Sequence, residues 1–161
     1  MTEALSNSMD SDLPRPRPEA MAPRILVVED DDEMRDLVEE MLREEGYRTF
    51  AAPDSLSALM LLLADGADVV VTDWKMPPID GLDLLESVRR CAPGLPVIFV
   101  TAYADEGLRA RALRGGARSF LAKPFQRADL LAHVRGALSR AWMGRAGRRP
   151  GRTGDDGPVG E

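Results

Sequence analysis

Short apolar runs alternate with helical stripes along most of the chain. Ile25-Leu26-Val27-Val28, Val69-Val70-Val71-Thr72, Val97-Ile98-Phe99-Val100 and Ser119-Phe120-Leu121-Ala122 have the length and β-branched or aromatic content of buried strands. A weaker run covers Tyr47 to Ala51. The strands predicted are therefore 24–29, 47–51, 68–72, 96–100 and 117–121. Between them, Met34, Leu37, Val38, Met41 and Leu42 recur at helical spacing, as do Leu56, Leu59, Met60 and Leu63. Gly46 and Asp65-Gly66 end these two helices, and Pro53-Asp54 opens the second. Further helices are predicted over 81–90 through Leu82, Leu85 and Val88, and over 105–114 through Leu108, Ala112 and Leu113. The last, over 127–141, runs through Leu130, Leu131, Val134 and Leu138.

Five β-α units in succession imply an α/β fold: a doubly wound parallel sheet with helices on both faces and right-handed crossovers. In such sheets ligands gather at the carboxyl ends of the strands. Four of the runs stop there on groups that can do chemistry: Glu29-Asp30, Asp73, Thr101 and Lys123. Three carboxylates, a hydroxyl and an ammonium on one edge suit a cation together with a phosphoryl group. Glu29-Asp30 and Asp73 can share a cation only if the first and third strands are neighbours. The weak second run suits an edge, so the expected order is 2-1-3-4-5.

Composition narrows the picture. The 161 residues suffice for one domain with a real core. Residues 1–22, polar and marked by Pro14, Pro16 and Pro18, read as a disordered leader without an apolar stripe. Residues 143–161, rich in Gly and Arg, read as a disordered tail, leaving one folded domain over 23–142. No apolar stretch approaches the roughly 20 residues that span a bilayer. With no secretory signal pattern, a cytoplasmic location and no membrane partner are expected. The single cysteine, Cys91, excludes an internal disulfide and reads as a packing thiol. The net charge is -6, and acids outnumber bases in the central region, which argues against direct DNA binding. Among 21 basic residues only Lys75 and Lys123 are lysines, so a compact point charge is kept at one strand end. Asp31, Asp32 and Glu33 read as a solvated helix start. His133, the only histidine, reads as a surface residue off the apolar stripe. Asp80-Gly81 and Pro77-Pro78 read as turn formers.

Val27-Val28-Glu29-Asp30-Asp31, Thr72-Asp73-Trp74-Lys75-Met76-Pro77, Val100-Thr101-Ala102 and Lys123-Pro124-Phe125 resemble the receiver domains of two-component response regulators, in particular single-domain chemotaxis-type receivers. The resemblance covers about residues 24–140. It implies a flavodoxin-like (βα)5 fold and a phosphorelay role: Asp73 accepts a phosphoryl group from a histidine kinase or phosphotransfer protein. It further implies Mg2+ held by Glu29, Asp30, Asp73 and the backbone carbonyl of Lys75. Lys123 pairs with the phosphoryl oxygens, and Thr101 donates its hydroxyl to them. Ala102, Lys75 and Tyr103 govern access, and Lys123-Pro124 is a cis peptide. A switch couples Thr101 to Phe120, where the family often has Tyr, and the helix-four, strand-five, helix-five face meets a downstream protein or a second copy. Such a protein is not an enzyme beyond its own phosphorylation and dephosphorylation.

Three other readings stand beside this one. A pseudo-receiver would bind partners without phosphorylation, but Asp73, Lys123 and the acidic pair are all present. A phosphohydrolase of the haloacid dehalogenase type resembles Asp-x-Asp-x-Thr at its nucleophile. Asp73-Trp74-Lys75-Met76-Pro77 lacks that second acid. A DNA-binding regulator needs an output domain, for which the residues after Arg140 are too few.

Overall fold

The computed structural model describes residues 22–76, 79–102 and 105–146, with side chains as far as residue 140. The leader, the tail beyond 146, Pro77-Pro78 and Tyr103 lie outside the described residues. The elements run β1 (Arg24–Val28), α1 (Asp32–Glu44), β2 (Arg48–Ala52), α2 (Ser55–Asp65), β3 (Val69–Thr72), α3 (Gly81–Cys91), β4 (Val97–Thr101), α4 (Glu106–Arg114), β5 (Ser119–Ala122) and α5 (Arg127–Ala146). All five strands are parallel and ordered 2-1-3-4-5, as expected.

Alternation along the strands feeds two cores. Leu26, Val28, Val70 and Phe99 face α2, α3 and α4, whereas Ile25, Val27, Val71 and Ile98 face α1 and α5. Buried on both faces, β1, β3 and β4 read as continuous apolar runs. The first four helices each open on an aspartate whose carboxylate accepts from a backbone N–H of the first turn: Asp31 from Met34 (2.8 Å), Asp54 from Ser57 (2.7 Å), Asp80 from Leu82 (3.0 Å) and Asp105 from Leu108 (2.7 Å). Asp31 is thus a cap, in keeping with its reading as part of a helix start.

Four sequence expectations are corrected. Most of the α2 stripe faces outward: Ser55, Ala58 and Leu62 are buried and Leu59 packs against the core as expected, while Leu56, Met60 and Leu63 are 61%, 66% and 70% exposed. Small residues let α2 sit close on the sheet, and its outer face stays apolar. Leu37 and Leu113, placed on core stripes, are each 43% exposed because Val38, Leu42, Leu108 and Ala112 already fill those contacts. Cys91 is exposed at the end of α3, so it is not a packing thiol. Helix α5 runs through Ala146, past the boundaries expected at 141 and 142. No proline or C-terminal glycine cap stands at Arg140-Ala141-Trp142 to stop it. His133 is half-buried and pairs through Nδ1 with the Ser119 hydroxyl at 2.8 Å, tying α5 to β5.

Candidate functional site

Each chemical group of the site follows directly on a strand end that is held by backbone hydrogen bonding. The Glu29 N–H donates to the Ala52 carbonyl (3.1 Å), the Asp73 N–H to the Val28 carbonyl (3.0 Å) and the Lys123 N–H to the Thr101 carbonyl (2.8 Å). The strand ladders therefore extend into the site and fix the backbone of its acid, its acceptor and its lysine. Thr101 itself ends β4, fully buried and in register with Ala122. The Lys123-Pro124 peptide is cis.

The side chains converge from β1, β3 and β5. Lys123 Nζ donates to Glu29 Oε2 at 2.8 Å and to Asp73 Oδ2 at 3.2 Å. Its closer partner is thus Glu29, across the whole width between β1 and β5. The second oxygen of Asp73 accepts from the Trp74 N–H at 2.6 Å. Glu29 is 5% exposed, and Asp30 beside it is open to solvent. A carboxylate oxygen from each of Glu29, Asp30 and Asp73 lies within 4.8 Å of the others. These groups, with Asp31, Glu33, Met34, Leu37, Lys75 and Lys123, line an open cavity of about 680 Å³.

Burial pushes the Glu29 carboxyl from its ordinary 4.5 up to about 7; the Lys123 hydrogen bond opposes this and the negative charge of Asp73 adds to it. For Lys123, burial acts downward, but the hydrogen bond to Glu29 and the two carboxylate charges outweigh it, and its pKa is raised. One ammonium is thus shared by two buried or half-buried acids, with a third acid alongside. A hard divalent cation meets the remaining negative charge, and three carboxylate oxygens are the donors Mg2+ takes. The donor set fits that ion.

Residues 25–135 match the sequence profile of the response regulator receiver domain. The chain belongs to the response regulator receiver family. It is 38% identical over 120 residues to the response regulator MprA of Mycolicibacterium vanbaalenii, covering 74% of this chain and 52% of that protein. It is also 38% identical over 120 residues to YrkP of Bacillus subtilis, described as an uncharacterized transcriptional regulatory protein, with 74% of this chain and 51% of YrkP covered. The chain thus spans about half the length of these curated relatives. Among solved structures, a CheY-like receiver domain protein of Methanospirillum hungatei superposes with a TM-score of 0.73 at 29% identity, over 76% of this chain and 98% of that one. NtrX of Brucella abortus gives a TM-score of 0.74 at 34% identity, over 78% of this chain and 29% of its own. Receivers of this family take part in phosphorelays, bind Mg2+ at an acidic pocket, and meet histidine kinases and downstream effectors.

The receiver fold brings together Glu29, Asp30, Asp73 and Lys123 as the motifs imply. Lys75 is exposed at the cavity rim, Ala102 is exposed after β4, and Phe120 is half-buried on β5. Phe120 packs near Phe99 (ring centroids 6.5 Å), which packs near Trp74 (5.3 Å), the residue after Asp73.

One supporting residue was read only as a turn former. Gly81 opens α3, and its N–H donates to the Trp74 carbonyl at 2.7 Å. A Cβ there would lie 2.8 Å from the Asp73 carbonyl oxygen and 2.5 Å from Phe99 Cε1. The helix can start against the acceptor's backbone only because this residue has no side chain. The Asp80-Gly81 pair after the acceptor was the available signal, but a turn and a close approach look alike in sequence.

Proposed function

We propose that this receiver is an Mg2+-dependent phosphoacceptor, with Asp73 taking a phosphoryl group from a phosphohistidine of a sensor kinase or phosphotransfer protein. The observation that carries the reading is the Lys123 ammonium held between Glu29 and Asp73 at 2.8 and 3.2 Å. A carboxylate oxygen of Asp73 forms the new O–P bond as the P–N bond of the donor breaks and the imidazole departs. Such transfer depends mainly on positioning and charge neutralisation. Glu29, Asp30, Asp73 and the Lys75 backbone carbonyl are the residues that would hold Mg2+, which neutralises charge on the phosphoryl oxygens. Lys123 neutralises a second part of that charge from the β5 side. The Trp74 N–H fixes one Asp73 oxygen, orienting the carboxylate. Thr101 hydrogen-bonds the phosphoryl oxygen after arrival, and Ala102 keeps the approach open. The chain catalyses no reaction other than its own phosphorylation and dephosphorylation.

The signal leaves through the α4–β5–α5 face, toward a downstream protein or a second copy. Helix α4 has only Leu108 and Ala112 buried, and contains Gly107. Few buried contacts give low local stability, which suits an element that changes packing. Phe120, without a hydroxyl, turns in as Thr101 moves.

Intact mass after incubation with Mg2+ and acetyl phosphate tests the acceptor assignment. The wild type gains one phosphoryl group and Asp73→Asn gains none. An unmodified wild type, or a modified Asp73→Asn, overturns it. Hydrogen exchange with and without phosphorylation tests the output face, and unchanged exchange over 101–125 would sink that part.

A further inference from the structure

Helix α3 is tied at both ends. At its start, the Gly81 N–H donates to the Trp74 carbonyl, beside the acceptor. At its far end, Arg89 Nη1 donates to the carbonyl of Gly115, the C-cap of α4. The Arg89 side chain lies over Gly116, which has φ 99°. A Cβ on Gly116 would stand 2.6 Å from Arg89 Cζ and 3.1 Å from its Cδ. A Cβ on Gly115 would stand 3.1 Å from Leu85 Cδ2. Two successive glycines thus leave a seat on the α4–β5 turn for side chains of α3.

The last carbonyls of a helix need partners from outside its regular ladder. At the end of α4, Arg111, Ala112 and Leu113 find theirs in the turn itself, accepting from the N–Hs of Gly115 (2.9 Å), Ala117 (2.9 Å) and Gly116 (3.1 Å). The Gly115 carbonyl instead takes its donor from α3. The other side-chain hydrogen bonds of α4 stay within it: the Asp105 cap accepts from Leu108, and Arg114 donates to Ala110. Among the described residues, Arg89 is thus the one side chain whose hydrogen bond reaches α4 or its cap from another helix. Beside that bond runs an open groove of about 440 Å³, lined by Leu82, Leu85, Glu86, Arg89, Arg90 and Gly115. Arg89 is exposed there, so it can swing away without opening a packed core. With only Leu108 and Ala112 buried, α4 has little else to hold its end.

We propose that Arg89 is a positioning residue whose hydrogen bond to Gly115 latches the end of α4 to α3, and that this latch opposes capture of a phosphoryl group at Asp73. The second half rests on the reading of α4 as the element that changes packing on phosphorylation. The latch belongs to the packing in which Lys123 holds the Asp73 carboxylate directly, at 3.2 Å. An arriving phosphoryl group draws Lys123 to its own oxygens. A tie made in one packing weights the equilibrium toward that packing. Removing it favours the other, and whatever prefers the other then binds more tightly. The route from acceptor to α4 runs through Gly81, the length of α3 and Arg89, apart from the rings of Phe99 and Phe120.

Two variants of the full chain test this. Arg89→Met keeps the apolar stem and removes the donor, whereas Arg89→Lys keeps a donor. Amide hydrogen exchange, which needs no phosphoryl group, reads the latch. In Arg89→Met the N–Hs of Gly115, Gly116 and Ala117 should exchange about three- to tenfold faster, with Leu84 to Val88 unchanged and Arg89→Lys close to the wild type. Titration with beryllium fluoride and Mg2+, a phosphoryl mimic, reads the coupling. Arg89→Met should bind it about threefold more tightly than the wild type. Unchanged exchange at the α4 end overturns the latch, as does a rise spread evenly over the domain or an Arg89→Lys variant that matches Arg89→Met. A local rise with unchanged affinity for the mimic overturns the coupling. If no variant and no wild type binds the mimic, the phosphoacceptor reading falls and the coupling with it, while exchange still decides the latch.

Discussion

The first two β-α units flank the same pair of paired strands and are built to opposite specifications. β1–α1 carries the acids Glu29 and Asp30 between its strand and its cap, and α1 turns Asp36, Glu40 and Arg43 to solvent while Val38 and Leu42 are buried. β2–α2 passes from Ala52 through Pro53 to its cap without a chemical group, and α2 turns leucine and methionine to solvent. In α1 most charges lie outside the buried face, and the one acid within it, Glu39, is paired with Arg43. In α2 almost every position is apolar, so hydrophobicity does not choose the face. The choice falls to size: Ser55 and Ala58 are small enough to lie against the sheet. The inner unit supplies chemistry, and the edge unit supplies a surface.

The largest expected effect sharpens this contrast. Leu42→Ala, at a fully buried site on α1, should cost about 2–5 kcal/mol. Leu56→Ala, chemically the same change on α2, should stay within about 0.5 kcal/mol, as read by urea denaturation of both variants. Equal costs would break the comparison. Next, Ala58→Leu adds volume where α2 meets the sheet and should destabilise by about 1–3 kcal/mol. Met60→Leu, two residues away on the outer face, should leave the urea midpoint where it is.

A third effect separates the units by pH. Glu29 has its carboxyl raised from 4.5 to about 7. The folded chain therefore holds a proton that the unfolded chain has released, and stability from this group falls as pH rises from about 4.5 to about 7. Melting temperatures in chelator should show that decline, and Glu29→Gln should flatten it. Asp54, the cap of α2 and so the counterpart of Asp31, has its carboxyl lowered by the Ser57 backbone N–H. Its contribution runs the other way, present above the ordinary carboxylate range and lost on acidification, so Asp54→Asn should leave the decline above pH 4.5 intact. The smallest expected effect is Leu63→Glu, at an exposed site on α2, which should change stability by no more than about 0.5 kcal/mol.

The strands, their order and the site were legible because buried parallel strands carry apolar runs and their ends carry the chemistry. The requirement that Glu29-Asp30 meet Asp73 was enough to place β1 beside β3. The α2 face was not legible, since a helix apolar all round has no periodic signal to read. The closer pairing of Lys123 with Glu29 was hidden for another reason. It depends on side-chain length and on burial across three strands, and no spacing along the chain encodes it. Gly81 was seen as a turn, while the contact that requires it is made with residues at 73 and 99.

The row of rings running from Trp74 through Phe99 to Phe120 gives the molecule an optical readout of its own. Trp74 is 8% exposed and sits one peptide bond from the acceptor, at one end of the row. Phe120 stands at the other end, on the face assigned to output. Rings in contact cannot repack independently. With Trp142, the chain's other tryptophan, replaced by Phe, indole emission reports Trp74 alone and should therefore respond both to charge arriving on its neighbour and to a turn of Phe120 two rings away. The time course of that emission would show whether the two events are simultaneous or successive, without any label being added.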